Sequence, residues 1–149
     1  MSGGRFAAAT SITPLGDGRY QANLDGEYSV AGRLNGGYLL GVLARAAQTA
    51  VGWDGGPLAA TVHYLSPPEP GPAEAAVSVA RAGRSAHQAR AQLWQGDVVR
   101  AEAFFTLGRS RASTASGDAW SDSTPVDLPP PSACFRMPVQ PPGAPSGCR

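Results

Sequence analysis

Asn35, Gly36 and Gly37 form a turn ahead of an apolar helix in the stretch Leu34-Asn35-Gly36-Gly37-Tyr38-Leu39-Leu40 and are the first candidates for a reactive site. N–H groups in the first turn of a helix have no intrahelical partner, and the helix dipole makes that end positive. A carbonyl oxygen that gains negative charge during a reaction could be held there, with Gly36 and Gly37 donating and Asn35 orienting it. Glycine also lets a ligand come close to the backbone. The same Asn-Gly-Gly equally meets a structural need, a tight turn before the helix. Gln48 is the only amide on that helix and could orient a water or cap a neighbour. His63 and His87 fall in strand-like segments, where the structural reading is a ring in or beside the core with its nitrogens satisfied.

Other chemistries lack their residues. There is no G-x-S-x-G elbow, no G-x-x-x-x-G-K-[ST] phosphate loop, no G-x-G-x-x-G fingerprint and no His pair at helical spacing, which argues against serine hydrolases, nucleotide hydrolases and metalloenzymes. Cys134 and Cys148 lie in a proline-rich tail without C-x-x-C spacing, so no metal and no cofactor are expected. The helix from Tyr38 to Val51 carries no acidic residue and therefore cannot itself supply a carboxylate as general base.

The elements that must position the turn follow from periodicity. Tyr20, Ala22 and Leu24 alternate with polar neighbours after the turn signal Asp17-Gly18, which predicts a half-buried strand. Tyr38 to Val51 is rich in helix formers and closed by Gly52. Its apolar positions run almost all the way round, so something must wrap it. Leu58–Leu65, Ala73–Ala82, Ala86–Trp94 and Val98–Leu107 read as the strands that do so. In the last hairpin a three-residue loop at 95–97 pairs Trp94 with Val98, setting Gln92 against Arg100 and Arg90 against Glu102. Leu93 with Val99 and Ala91 with Ala101 then share the other face. A two-residue loop would mix the faces, because a one-residue slip exchanges them.

With 149 residues, 42% hydrophobic and 15% charged, the chain has material for one core and not two. The domain is expected over residues 1–108. A Ser/Pro-rich tail or linker is expected over 109–149, with eight prolines between Pro125 and Pro145. A net charge of +1 gives no long-range field for nucleic acid or anionic lipid. The longest apolar stretch, Tyr38 to Val51, is shorter than the ~20 residues of a membrane span. The N-terminus lacks the charged start and apolar run of a secretory signal, so cytoplasm is the expectation.

Three passages resemble a known family. Asn35-Gly36-Gly37-Tyr38-Leu39-Leu40-Gly41-Val42-Leu43-Ala44-Arg45-Ala46-Ala47 is similar to the [HFN]-G-G helix entry of the TesB-like acyl-CoA thioesterases. Val62-His63-Tyr64-Leu65-Ser66-Pro67-Pro68 is similar to their H-x-x-[FY]-L-R-P strand and turn. Val79-Ala80-Arg81-Ala82-Gly83-Arg84-Ser85, continuing to Gln95–Ala103, is similar to their R-x-G-R-S hairpin and closing strand. The resemblance covers 17–108 and matches the N-terminal repeat. It implies an α+β hot-dog fold, a long buried helix wrapped by an antiparallel sheet. It also implies pairing, as a homodimer or with a second hot-dog domain, and acyl-CoA bound where two hot dogs meet, with water attacking the thioester. By the same resemblance Asn35, Gly36 and Gly37 hold the carbonyl, His63, Tyr64, Gly83, Arg84 and Ser85 contact substrate, and Arg84 lies near the CoA phosphates.

Two departures bear on mechanism. Single-repeat relatives carry His-Gly-Gly and, nine residues after the His, an Asp or Glu; here those positions are Asn35 and Ala44. In the TesB-like family the acid belongs to the second repeat. The expected function is thus hydrolysis of acyl-CoA thioesters or provision of half the hydrolysing site, the alternative being a non-catalytic acyl-CoA-binding or structural half. The hydratase branch needs an Asp five residues before a His, where this chain has Leu58 before His63 and Ala82 before His87.

Overall fold

The computed structural model describes residues 4–52, 55–109 and 126–135. The chain divides into two units, Met1–Ser110 and Arg111–Arg149. In the first, helix α1 (Arg5–Ala9) leads into strands β1 (Ile12–Gly16) and β2 (Arg19–Leu24), then the short hairpin β3 (Ser29–Val30) and β4 (Arg33–Leu34). Helix α2 (Gly36–Val51) follows, and then β5 (Gly56–Tyr64), β6 (Gly71–Ala82), β7 (Ala86–Gln95) and β8 (Val98–Gly108). In the second unit the described residues hold a single 3-10 turn, Pro131–Ala133, and Cys134 is exposed and free. Cys148 and Trp120 lie outside the described residues.

Six strands form one antiparallel sheet in the order β1-β2-β6-β7-β8-β5, and α2 packs across it. Alternation explains the packing. In β2, Tyr20, Ala22 and Leu24 are buried while Arg19, Gln21 and Asn23 are exposed. Ala75, Ala89, Ala91, Leu93, Ala101, Ala103 and Phe105 turn to the same side and are essentially solvent-free. Alanines dominate this face, so the helix lies close to the sheet and larger side chains, Leu43, Leu93 and Phe105, fill between them. Within α2 only Gly37 and Thr49 are exposed, in keeping with its all-round apolar sequence.

The N-terminal segment closes over one flank of α2, which periodicity alone did not anticipate. Phe6 packs edge-on against Tyr28 and Tyr38, whose own rings stack at 4.6 Å. The Tyr38 hydroxyl donates to the Ala9 carbonyl and accepts from the Asp25 N–H, both at 2.9 Å. The buried Thr10 hydroxyl donates to the Phe6 carbonyl and accepts from Arg45 Nε.

The β7–β8 hairpin departs from the expected register by two residues. Gln95 faces Val98 across a two-residue turn, and a shift between Leu93 and Trp94 then sets Leu93 against Ala101, Gln92 against Glu102 and Arg90 against Phe104. The extra residue assigned to the loop is replaced by a bulge in β8, where Arg100 has no partner across the ladder. Because either device restores parity, the face assignment of Arg90, Gln92, Arg100 and Glu102 against Ala91, Leu93 and Ala101 stands. Arg90 and Glu102 still form an ion pair, diagonally rather than directly opposed.

Candidate functional site

The start of α2 is built by its cap. Asn35 is extended (φ −65°, ψ 133°), and its Oδ1 accepts from the N–H groups of Gly37 at 2.8 Å and Tyr38 at 3.3 Å. This is the expected behaviour of an Asn N-cap. It also alters the expected roles: the Gly37 N–H is already engaged, whereas the Gly36 N–H has no partner among the described residues. With Oδ1 occupied, the Asn35 Nδ2 group is the end left to meet a ligand. At the other end of α2, Gly52 is left-handed (φ 64°), and its N–H reaches the Gln48 and Thr49 carbonyls.

Tyr64, the last residue of β5, reaches this turn. Its hydroxyl donates to the Gly36 carbonyl at 2.7 Å. A Cβ at position 36 would lie 2.8 Å from the Tyr64 ring, so glycine is what lets the ring come so close. Desolvation pushes the Tyr64 phenol above its ordinary value, which keeps it protonated and able to donate at neutral pH. Beside this contact opens a cleft of about 470 Å³ whose walls include Leu34, Leu39, Tyr64 and Leu65. Arg33, on β4, is its one charged lining residue. Larger hollows of about 760 and 710 Å³ lie on the outer sheet face around Arg19–Glu74 and beside α1, and neither includes the Asn35 turn. Among the described residues, no three His, Cys, Asp or Glu side chains are grouped to hold a metal.

The other residues singled out from the sequence are distributed away from this turn. Gln48 lies twelve residues after Gly36, ~18 Å along the helix, and its Nε2 donates to the Gly55 carbonyl, tethering the loop that leaves the helix. His63 faces away from Tyr64 on β5, exposed and opposite Glu102, whose carboxyl is held below its ordinary value chiefly by a hydrogen bond from Arg90 with a smaller contribution from His63. Gly83, Arg84 and Ser85 form the β6–β7 turn, where the Gly83 N–H donates to the Ala86 carbonyl. Ala86 pairs with Gly108, and Gly108 with Gly56, the first residue of β5. The Arg84 turn and the Asn35 turn therefore sit at opposite ends of a nine-residue strand, a span of ~26 Å. Arg33 was missed by the sequence reasoning because an arginine in a short hairpin belongs to no motif.

Residues 24–108, from the end of β2 to the end of β8, match the family model described as the acyl-CoA thioesterase N-terminal domain. The chain belongs to this family. Among solved structures it is similar to a candidate thioesterase II from Thermobifida fusca, with 25% identity over 95% of this chain and 51% of that one, at a TM-score of 0.79. A protein from Alicyclobacillus acidocaldarius described as having a hot-dog fold superposes at 0.74, with 23% identity over 91% of this chain and 50% of that one. The tesB protein of Mycobacterium avium subsp. paratuberculosis superposes at 0.66, with 19% identity over 89% and 50%. The architecture is thus the hot-dog fold, and the protein is acyl-CoA thioesterase-like. It spans about half the length of these three proteins. No curated protein matches it by sequence. Among the described residues no helix is long and apolar enough to cross a membrane.

Proposed function

We propose that this chain forms one half of a cytoplasmic acyl-CoA thioesterase site and works as paired hot dogs, either two copies or one copy beside a second hot-dog domain. The observation that carries the reading is the unpartnered Gly36 N–H at an apolar cleft, in a chain of the acyl-CoA thioesterase family. The thioester carbonyl accepts from Gly36 N–H and from Asn35 Nδ2, two donors that are positioned before the reaction begins. Water adds to the carbonyl carbon, a base removes its proton, and the negative charge gathers on the carbonyl oxygen. Collapse then expels the CoA sulfur as thiolate, which is protonated, leaving a carboxylic acid and CoA.

Pairing supplies what one chain lacks. β5 is an edge strand without Lys, Arg, Asp or Glu, exposed over most of its length, and Leu58, Tyr64 and Leu65 leave apolar surface there. Val98 and Phe104 are also about half exposed and await a cover. If two β5 strands pair antiparallel across a two-fold axis, the Gly56 end of one lies beside the Tyr64 end of the other. That would bring Arg84 of the partner subunit to the Asn35 turn, where CoA phosphates can meet it. The base comes from the second hot dog, in line with the acid-free α2.

A second reading, a non-catalytic acyl-CoA-binding half, is favoured by one fact: neither α2 nor the cleft wall carries a carboxylate. Calorimetry with a thioether analogue of acyl-CoA, run beside a thiol-release assay on the same sample, separates the two. Binding with turnover is the expected result. Binding without turnover favours the second reading, and neither binding nor turnover removes both.

A further inference from the structure

We infer that Arg33 is the anion-recognising residue of the cleft and meets a negatively charged oxygen of the ligand. The inference rests on the acyl-CoA reading above. Arg5, Arg19 and Arg90 each hold a carboxylate, Glu27, Glu74 and Glu102 respectively, so the outward arginines of this domain that face an acid are neutralised locally. Arg33 forms no ion pair among the described residues, and it is the only charged residue on a wall otherwise made by leucines, prolines, Tyr64 and Ser66. The first turn of α2, which the cleft also touches, contains no acid either. A cation left unneutralised beside an apolar cleft favours a ligand that is apolar along the wall and anionic at the mouth.

Chain length limits the anion's position. Arg33 precedes Gly36 by three residues, at most ~11 Å of backbone, to which its side chain adds its own reach, so the guanidinium serves the ligand bound at the turn of its own chain and does not depend on pairing. Two parts of an acyl-CoA offer such an oxygen, the coenzyme's phosphates and a distal carboxylate on a dicarboxylic acyl group. The guanidinium geometry suits both.

The test compares the intact chain with Arg33→Gln, an exposed hairpin substitution whose unfolding midpoint should match that of the wild type. Both are titrated calorimetrically with CoA, with pantetheine, and with butyryl and glutaryl thioethers of pantetheine. If Arg33 reads phosphate, the substitution weakens CoA binding about tenfold, the size of one charge-assisted hydrogen bond, and leaves pantetheine unchanged. If it reads the acyl carboxylate, only the glutaryl thioether weakens. Either result supports the assignment, and Arg33→Lys should recover part of the loss. Equal affinities of wild type and Arg33→Gln for every ligand would overturn it while leaving the acyl-CoA reading intact. A wild-type chain that binds none of the four would overturn both.

Discussion

The two edges of the sheet are built differently. β1 has five residues, with Pro14 at its centre and a register shift between Pro14 and Gly16, so it offers few regular donors to another strand. β5 has nine, its proline is confined to the second position, and it carries no Lys, Arg, Asp or Glu. Natural sheets blunt exposed edges with prolines, bulges, short lengths and charges. β1 uses three of these devices, whereas β5 is long, free of Lys, Arg, Asp and Glu, and regular over residues 59–64. An edge left in that state offers its donors and acceptors to another strand, and it ends at Tyr64, on the Asn35 turn.

That contrast can be broken or sharpened at several points. The largest effect is expected where α2 is given the carboxylate it lacks. Ala44 is partly buried against the core on α2. Ala44→Asp should raise thiol release about 100-fold with a base-like rise with pH, the range typical of general-base assistance. It should also cost about 1–3 kcal/mol of stability for a partly buried polar group. A folded variant that binds the thioether analogue yet shows no gain would mean the α2 alignment is wrong.

Next comes a change confined to the β1 side. Gly18 lies in the left-handed region (φ +73°), and a Cβ there would sit 2.4 Å from the Val77 carbonyl. Gly18→Ala should destabilise the domain by about 3 kcal/mol through overpacking and backbone strain, read from denaturant unfolding. The self-association constant of the surviving folded fraction should not change, since β1 is the closed edge.

The direct comparison places one lysine on each edge. Thr61 on β5 and Thr13 on β1 are both exposed. Thr61→Lys sets like charges near each other across a paired edge and should weaken association about tenfold or more, measured by sedimentation. Thr13→Lys should leave it as it was. Equal responses from the two edges would remove the basis for assigning β5 as the interface.

The smallest effect is expected from acid. Glu74 is held below its ordinary value chiefly by the hydrogen bond from Arg19, which meets it at 2.6 and 2.7 Å, and Glu102 likewise by Arg90. Because the folded values lie below the unfolded one, the stabilisation is complete above the ordinary carboxylate value of about 4.3 and is lost as pH falls through the lower folded values. Unfolding midpoints should decline slightly between about pH 5 and pH 3, less so in high salt because both pairs are largely exposed. These bridges tie β2 to β6 and β7 to β8.

Much of the fold was legible because its main elements obey simple periods. Tyr20, Ala22 and Leu24 announced β2, and the apolar run closed by Gly52 announced α2, although the helix starts at Gly36 rather than Tyr38. β1 was not legible, because Pro14 in a five-residue segment reads as a turn. Nor was α1, whose five residues are held by Phe6, Thr10 and Tyr38 contacts made only after folding. Parity fixed the faces of β7 and β8 but not their register, since a bulge and a longer loop preserve the same alternation. For the site, turn chemistry located Asn35, Gly36 and Gly37 at the helix start. It did not indicate that the cap would occupy the Gly37 N–H, nor that the Arg84 turn would lie at the far end of β5. Separation in space depends on strand length and order, which no local motif contains.

The hydrogen bond from Tyr64 to Gly36 has a thermodynamic consequence. It joins the terminus of the β5 edge to the backbone of the Asn35 turn, so a ligand at the turn and a strand on the edge would share one contact. Coupling of this kind is reciprocal: whatever factor pairing contributes to ligand affinity, ligand must contribute to pairing. On the proposed pairing, substrate and assembly are expected to act as mutual effectors through this phenolic hydrogen bond, and removing the hydroxyl in Tyr64→Phe should weaken the coupling without deleting either surface.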